Sequence, residues 1–365
     1  MTKIILTADI HFGVPGKLRD ILYSVKTIRE YAKKHNINHI IVLGDLFHDR
    51  RFIEIDVLST VYRFFENCKN EYEQEWVTFP GNHDMFLKYS WEINSLESLK
   101  DVMTIFTDIA LFSIDDRRFW VLPFVAYEKT YMKILSRLES RREKGDNLLT
   151  HIGISGSILN SCFMLKEWGH VTFQFTNFNR IFTGHFHCYQ QIGRAYYPGS
   201  PIPFKFDEGN HPHGFLTYDL VTDQVEFIDL YKVGPELLPD EHLPPKFITV
   251  MDDDLNNLDT TDVKGNIVRL TFQKEPTQTE RTQIKQHLEL LGAKTIRWMN
   301  LYQKEDKLTT VKKDFDVSNK NLFDSYLQRD AEKNKDLDRH ILLSMHNDIV
   351  VEGDTLYYQE QENID

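Results

Sequence analysis

Apolar and polar positions switch between two periods over the first two-thirds of the chain, and the switches mark a run of strands and helices. Residues 3–7 form a short apolar run that leads into Asp9-Ile10-His11. After the loop at 13–16, Leu18, Ile21, Leu22, Val25, Ile28 and Ala32 recur at helical spacing and predict a helix that buries one stripe. Residues 39–43 are almost continuously apolar, as in a strand covered on both faces, and run into Gly44-Asp45. A helix around 54–68 leads to a strand at 76–79 and then to Gly81-Asn82-His83-Asp84. Strand, helix, strand, helix, strand with polar residues gathered at strand ends is the α/β crossover pattern, which places sites at the carboxyl ends of its strands.

The next stretch repeats this logic with wider spacing. Residues 119–122 read as a strand, 134–142 as part of an amphipathic helix, and 147–150 as a strand ending in His151. A loop-rich span with Gly153, Gly156 and the aromatic stretch 173–178 is expected to rim the site. A strand at 180–183 then ends in Gly184-His185-Phe186-His187, Tyr196-Tyr197-Pro198-Gly199-Ser200-Pro201 turns sharply, and 214–218 pairs with 224–229 as a hairpin. The expected fold class is α/β (α+β): two mixed sheets packed face to face as a sandwich, with helices outside.

Past this point the composition changes. Pro235, Pro239, Pro244 and Pro245 in a short acidic span predict a linker over 232–247, closing a first domain of 1–231. Val268, Leu270 and Phe272 alternate with Arg269 and Thr271 as in a half-buried strand. Thr277-Gln278-Thr279-Glu280 reads as a capping box for a helix carrying Ile284, Leu288 and Leu291 and stopped by Gly292. With a strand at 294–299 this makes a small α+β cap over 248–305. Residues 306–365 form a charged helical segment and tail, whose apolar pairs within 318–345 suit docking on this chain or on a partner helix.

Bulk properties narrow the classes. A chain of 365 residues, 41% hydrophobic and 27% charged, buries a sizeable core in one large domain and a smaller one. No basic-then-apolar leader or spanning apolar run is evident, which predicts a cytoplasmic protein with no membrane partner. Cys68, Cys162 and Cys188 lack CxxC spacing and read as buried, reduced thiols rather than as a disulfide scaffold or zinc knuckle. A net charge of -12 argues against gripping nucleic acid by raw electrostatics, although bound divalent ions would supply positive charge locally.

Candidate chemistry sits at the strand ends. Asp-x-His, Gly-Asp or Asn-His taken singly more often just ends a strand in a turn. The ordered set Asp9-x-His11, Gly44-Asp45, Gly81-Asn82-His83-Asp84, His151 and Gly184-His185-x-His187 is a different matter. Its carboxylates, imidazoles and amide suit two adjacent divalent ions better than one tetrahedral structural zinc. His48, Asp49, His170, His211 and His213 lack that support and read as loop or supporting residues.

This ordered set resembles the calcineurin-like metallophosphoesterases. Gly44-Asp45-Leu46-Phe47-His48 together with Tyr197-Pro198-Gly199-Ser200-Pro201 is similar to the SbcD-type nuclease subunit of double-strand-break repair complexes, in its bacterial or phage form. The resemblance implies the metallophosphoesterase fold. It implies that Asp9, His11, Asp45 and His187 hold one ion and Asp45, Asn82, His151 and His185 the other, with Asp45 bridging. It implies Mn2+ as the metal, Mg2+ or Fe2+ being alternatives. It gives His83 a catalytic role, orienting the phosphate or protonating the leaving oxygen, with Asp84 holding His83. Thr150 stands where many relatives have glycine. The implied activity is a DNA exonuclease on duplex ends, 3'-to-5', and an endonuclease on single strands or hairpins. The implied partners are DNA, a second copy of the chain and an SbcC-type SMC-like ATPase docked on the C-terminal helices. A small-substrate phosphatase or phosphodiesterase, and a scaffold with weak catalysis, are the alternatives on the same fold.

Overall fold

The computed structural model describes residues 3–300 except 88, 161–162, 165–176, 252–254, 256–257 and 259. The strand-helix alternation resolves into β1 (Lys3–Thr7), α1 (Leu18–Lys34), β2 (His39–Val42), α2 (Ile55–Asn70), β3 (Glu75–Thr78) and β4 (Thr104–Ile105). Next come β5 (Ala110–Ile114), β6 (Arg117–Leu122), α3 (Glu128–Arg141), β7 (Asn147–His151), and the short pair β8 (Ile158–Asn160) and β9 (Phe163–Met164). They are followed by β10 (Ile181–Gly184), β11 (Gln190–Ile192), β12 (Ala195–Tyr197), β13 (Gly214–Asp219), β14 (Val225–Asp229) and α4 (Leu230–Leu237).

Two six-stranded mixed sheets result, ordered β14-β13-β1-β2-β3-β4 and β11-β12-β10-β7-β6-β5. Their packing explains the continuous apolar runs. Ile4 and Leu6 point with Ile41, Leu43, Val77 and Phe79 towards Phe119, Val121, Leu149 and Phe182 of the other sheet. Ile5, Ile40 and Val42 point the other way, against α1 and α2 through Ile21, Val25, Ile28, Val61 and Phe65. On the outer face of the second sheet, Trp120, Leu148, Ile181 and Tyr197 pack on Tyr131, Leu135 and Leu138 of α3. Four layers, α/β/β/α, therefore leave both faces of the central strands dry. Truncating a residue such as Leu6 to Ala would cost about 2–5 kcal/mol.

The register sets where the chemistry sits. β1, β2 and β3 run parallel, with Thr7 beside Val42 and Val42 beside Thr78, while Gly184 of β10 lies beside His151 of β7. The carboxyl ends of all five strands therefore finish together at one end of the sandwich.

The span 232–247, expected as a linker, takes in most of α4, which packs on α1 so closely that a Cβ at Gly234 would lie 2.7 Å from the Tyr23 hydroxyl. The prolines masked the helix, although Leu230 and Gly234 supply its buried face. The cap forms a parallel three-stranded sheet of β15 (Phe247–Met251), β16 (Ile267–Phe272) and β17 (Thr295–Asn300), with α5 (Thr260–Val263) and α6 (Gln278–Leu290). Val268, Leu270 and Phe272 are its buried stripe, Leu288 of α6 covers them, and Thr277 and Glu280 make the expected capping box. The described elements belong to one compact unit, Met1–Tyr302, and the docking segment expected at 318–345 lies outside the described residues. No helix among the described residues is long and apolar enough to cross a membrane.

Candidate metal centre

The loops that leave β1 and β2 run side by side, with Asp9 N–H donating to the Gly44 carbonyl at 3.2 Å and His11 N–H to the Asp45 carbonyl at 3.1 Å. To turn their side chains inward, Asp9, His11, Asp45 and His185 take up left-handed backbone, at φ 51°, 55°, 52° and 100°. Such conformations cost about 1–3 kcal/mol each for non-glycine residues and gather where function over-determines the geometry. Close approach also demands glycine. At Gly44, φ is 81° and a Cβ would lie 2.6 Å from His151 Nδ1 and 2.9 Å from the Gly81 backbone.

The structure brings together every candidate ligand named from the sequence. Asp9, His11 and His187 converge as one group, and Asp9, Asp45 and His151 as a second. Asp45 Oδ2 lies 3.9 Å from His11 Nε2 and 3.3 Å from His151 Nε2, between the two halves. Asn82 Oδ1 is 3.1 Å from His151 Nε2 and 2.9 Å from His185 Nδ1. His185 N–H donates to both oxygens of Asp9, at 3.0 and 3.1 Å.

The donor chemistry fits divalent ions. His151 Nδ1 donates to the Leu43 carbonyl at 2.7 Å, which leaves the lone pair of Nε2 facing two further acceptors, Asp45 Oδ2 and Asn82 Oδ1. His187 Nδ1 donates to Glu208 Oε1 at 2.8 Å, which leaves its Nε2 3.1 Å from His11 Nε2. Lone pairs aimed at one another over so short a distance call for a cation between them, or a proton in its place.

The acid-base properties of the metal-free chain show the proton in that role. Burial opposes a charged His151, but Asp45 and Asp9 outweigh it and push the imidazole up to about 9. Burial likewise opposes the Asp45 carboxylate, yet His151 and His11 hold it well below the ordinary carboxylate range. Burial raises Asp9 to about 6 against the pull of His151 and His187. It also drives His11 well below the ordinary histidine value, which keeps that ring neutral and able to coordinate. His187 is displaced upward: burial opposes its charge, and the bond to Glu208 prevails.

Asp84 departs from its expected role. Its carboxylate does not hold His83; it accepts the backbone N–H groups of Phe47 at 3.0 Å, Gly81 at 3.0 Å and Leu46 at 3.3 Å. Fully buried, it ties the loop after β2 to the loop after β3, and burial followed by Asp45 raises it to about 7. The His83 ring is positioned instead by the His48 carbonyl, which accepts from Nδ1 at 2.6 Å, and by the His48 ring stacked at 5.7 Å. His83 N–H donates to Asp45 Oδ1 at 2.7 Å and its ring stands edge-on to His11, at 4.9 Å.

His48, read from the sequence as a loop or supporting residue, groups with His11 and His83 and supports the His83 ring. One further residue at the site was not among the candidates. Glu208 lies 21 residues beyond His187 in a short 3-10 turn, where no spacing betrays it. Of the residues read as loop or supporting, Asp49 caps the N–H groups of Arg51 and Phe52, His213 bonds the carbonyls of Ser200 and Glu208, and His170 lies outside the described residues. Thr150 is buried with its hydroxyl 3.3 Å from that of Tyr131 and leaves the His151 anchor intact.

The chain is similar to several known proteins. Exonuclease subunit 1 of Enterobacteria phage T4 is 24% identical over 233 residues, covering 62% of this chain and 67% of that protein. Among solved structures, a dimetal phosphatase from Danio rerio superposes with a TM-score of 0.36 at 13% identity, over 59% of this chain and 91% of the other. A glutamine-dependent NAD+ synthetase from Acinetobacter baumannii gives a TM-score of 0.30 at 10% identity, over 92% of this chain and 69% of the other. Neither of these loose superpositions bears on the chemistry. The calcineurin-like phosphoesterase family matches residues 2–189, the span that carries β1 to β10 and all seven candidate ligands, and the chain belongs to that family.

Proposed function

We propose that this chain is a two-metal DNA nuclease, the nuclease subunit of an SbcCD-like repair complex. The observation that carries this reading is the convergence of Asp9, His11, Asp45, Asn82, His151, His185 and His187 on one sandwich end with His83 against it. The phage T4 relative, an exonuclease subunit by name, supports a nucleic-acid substrate and a multi-subunit assembly. Asp9, His11, Asp45 and His187 would hold one ion, and Asp45, Asn82, His151 and His185 the other. Mn2+ is the preferred ion, and Mg2+ or Fe2+ suit the same donors. Two bound ions supply charge for the scissile phosphate and lower the pKa of water, so no serine or cysteine nucleophile is required.

The rest falls to the protein. Because the His48 carbonyl accepts from Nδ1 of His83, Nε2 is the ring nitrogen left to the substrate, and with the ring in its imidazolium form it would donate to a phosphate oxygen or hand that proton to the leaving oxygen. Asp84 acts at a distance from the reaction by fixing the two loops that carry Asp45 and Asn82. The SMC-like ATPase and a second copy of the chain are the proposed partners. With a net charge of -12, the chain needs the ions or a partner to draw DNA in.

The test compares wild type with His83→Gln on end-labelled duplex and single-stranded DNA in Mn2+. The expected result is cleavage by wild type, lost in the variant while both ions remain bound. A wild type that leaves both DNA substrates intact, alone and with its ATPase partner, while cleaving a small phosphoester would overturn the nuclease reading.

A further inference from the structure

Glu208 is 1% exposed and both of its oxygens are committed. Oε1 accepts from His187 Nδ1 at 2.8 Å, and Oε2 accepts the backbone N–H of Phe204 at 2.7 Å. The Phe204 ring in turn lies 5.7 Å from the rings of both His11 and His187. One buried carboxylate thus fixes the rotation of one imidazole ligand and seats an aromatic wall against two.

The same turn is gripped from the cap. The Phe206 ring meets Phe247 of β15 edge-on at 5.0 Å, and the Arg269 guanidinium of β16 lies 4.6 Å above it. Gly209 abuts the Phe247 carbonyl so closely that any Cβ there would overlap it. Phe206 and Glu208 are two residues apart in one short 3-10 turn, so the cap and the metal centre hold the same turn.

We propose that Glu208 is the positioning residue for His187, and that the cap clamps the turn carrying it and so bears directly on one half of the metal centre. This rests on the two-ion reading above. A carboxylate on the far nitrogen fixes the tautomer, aims Nε2 inward and makes it a better donor. The half that contains His187 has this support, whereas His151, in the other half, is anchored on the Leu43 carbonyl.

The experiment is a Mn2+ titration of the full chain by calorimetry, with the electron paramagnetic resonance of bound Mn2+ reporting whether one or two ions are held. Wild type should bind two ions; fewer than two would sink the two-ion reading itself. In Glu208→Gln one binding event should weaken by about 10- to 100-fold while the other stays put. Glu208→Asp, which keeps the charge one methylene back, should recover part of the loss. Phe206→Ala, with Glu208 intact, should weaken the same event by a smaller factor. Wild-type affinities in Glu208→Gln, or equal weakening of both events alongside a lowered melting temperature, would overturn the positioning role. An unaltered titration in Phe206→Ala would overturn the link to the cap.

Discussion

Tyr197→Phe removes a single oxygen from a place where three polar groups depend on it. The Tyr197 hydroxyl donates to the Ile152 carbonyl at 2.9 Å and accepts the Ile154 N–H at 2.9 Å and the Ser157 hydroxyl at 3.3 Å. Tyr197 is fully buried, and burial raises its phenol far above the ordinary value, so the group stays neutral and the network holds at any working pH. In the variant, the Ile154 N–H loses its acceptor in a dry site. That costs about 1–3 kcal/mol, and the loss of the bond to Ile152 adds about 0.5–1.5 kcal/mol. Ser157 can rotate its hydroxyl and adds little. The sum is about 1.5–4.5 kcal/mol, read as a lower urea midpoint with an unchanged slope. The bond network spans the loop that follows His151 but does not touch the His151 ring, which hangs on the Leu43 carbonyl. Mn2+ affinity should therefore change by less than about threefold, well under the tenfold that 1.4 kcal/mol represents. A midpoint shift worth under about 0.5 kcal/mol, the range of an ordinary surface substitution, would refute the reasoning.

Two further predictions concern the ligands themselves. Gly44→Ala combines a left-handed backbone, worth about 1–2 kcal/mol, with a methyl 2.6 Å from His151 Nδ1; Mn2+ affinity should fall more than about tenfold, and an unchanged titration would show that the loop can yield. Metal uptake should also depend on pH: the metal-free His151 is protonated below about 9, so apparent affinity should drop about tenfold for each pH unit below that value, with Asp9 adding a second proton below about 6. Calorimetry near neutral pH in buffers of different ionisation enthalpy should register close to one proton released with one of the ions, and a buffer-independent heat would refute the competition.

The order of strands and the position of the ligands were legible because the fold imposes simple patterns on them. Strands covered on both faces must be continuously apolar, as in residues 39–43, and side chains can leave a sheet only at its ends, where Asp45, Asn82, His151 and His185 sit. Helix α4 was hidden because Pro235 broke the expected pattern, although Leu230 and Gly234 are buried in its packing on α1. The parallel pairing of β15 with β16 was also hidden, since β15 begins inside the proline-rich span. The fate of Asp84 could not be read from its place beside His83. In a tight turn, neighbouring side chains point apart, and Asp84 turned to the backbone donors of the adjoining loop.

Glu208 shows why supporting residues escape a reading that finds the ligands. A ligand is constrained by the ion and by the strand end that presents it, so both residue type and neighbourhood are fixed. The partner of a ligand need only reach one far nitrogen, and any segment passing nearby can supply it. Here that segment is a turn pinned to the cap through Phe206 and Gly209, separated from His187 in the sequence by β11 and β12. The left-handed backbone at Asp9, His11, Asp45 and His185 and the lone pairs facing one another are costs that the metal-free fold carries alone. Divalent ions binding there relieve the second cost directly, so metal affinity and local stability are one linked quantity. Residues such as Glu208 and Asp84, which touch no substrate, act on both at once.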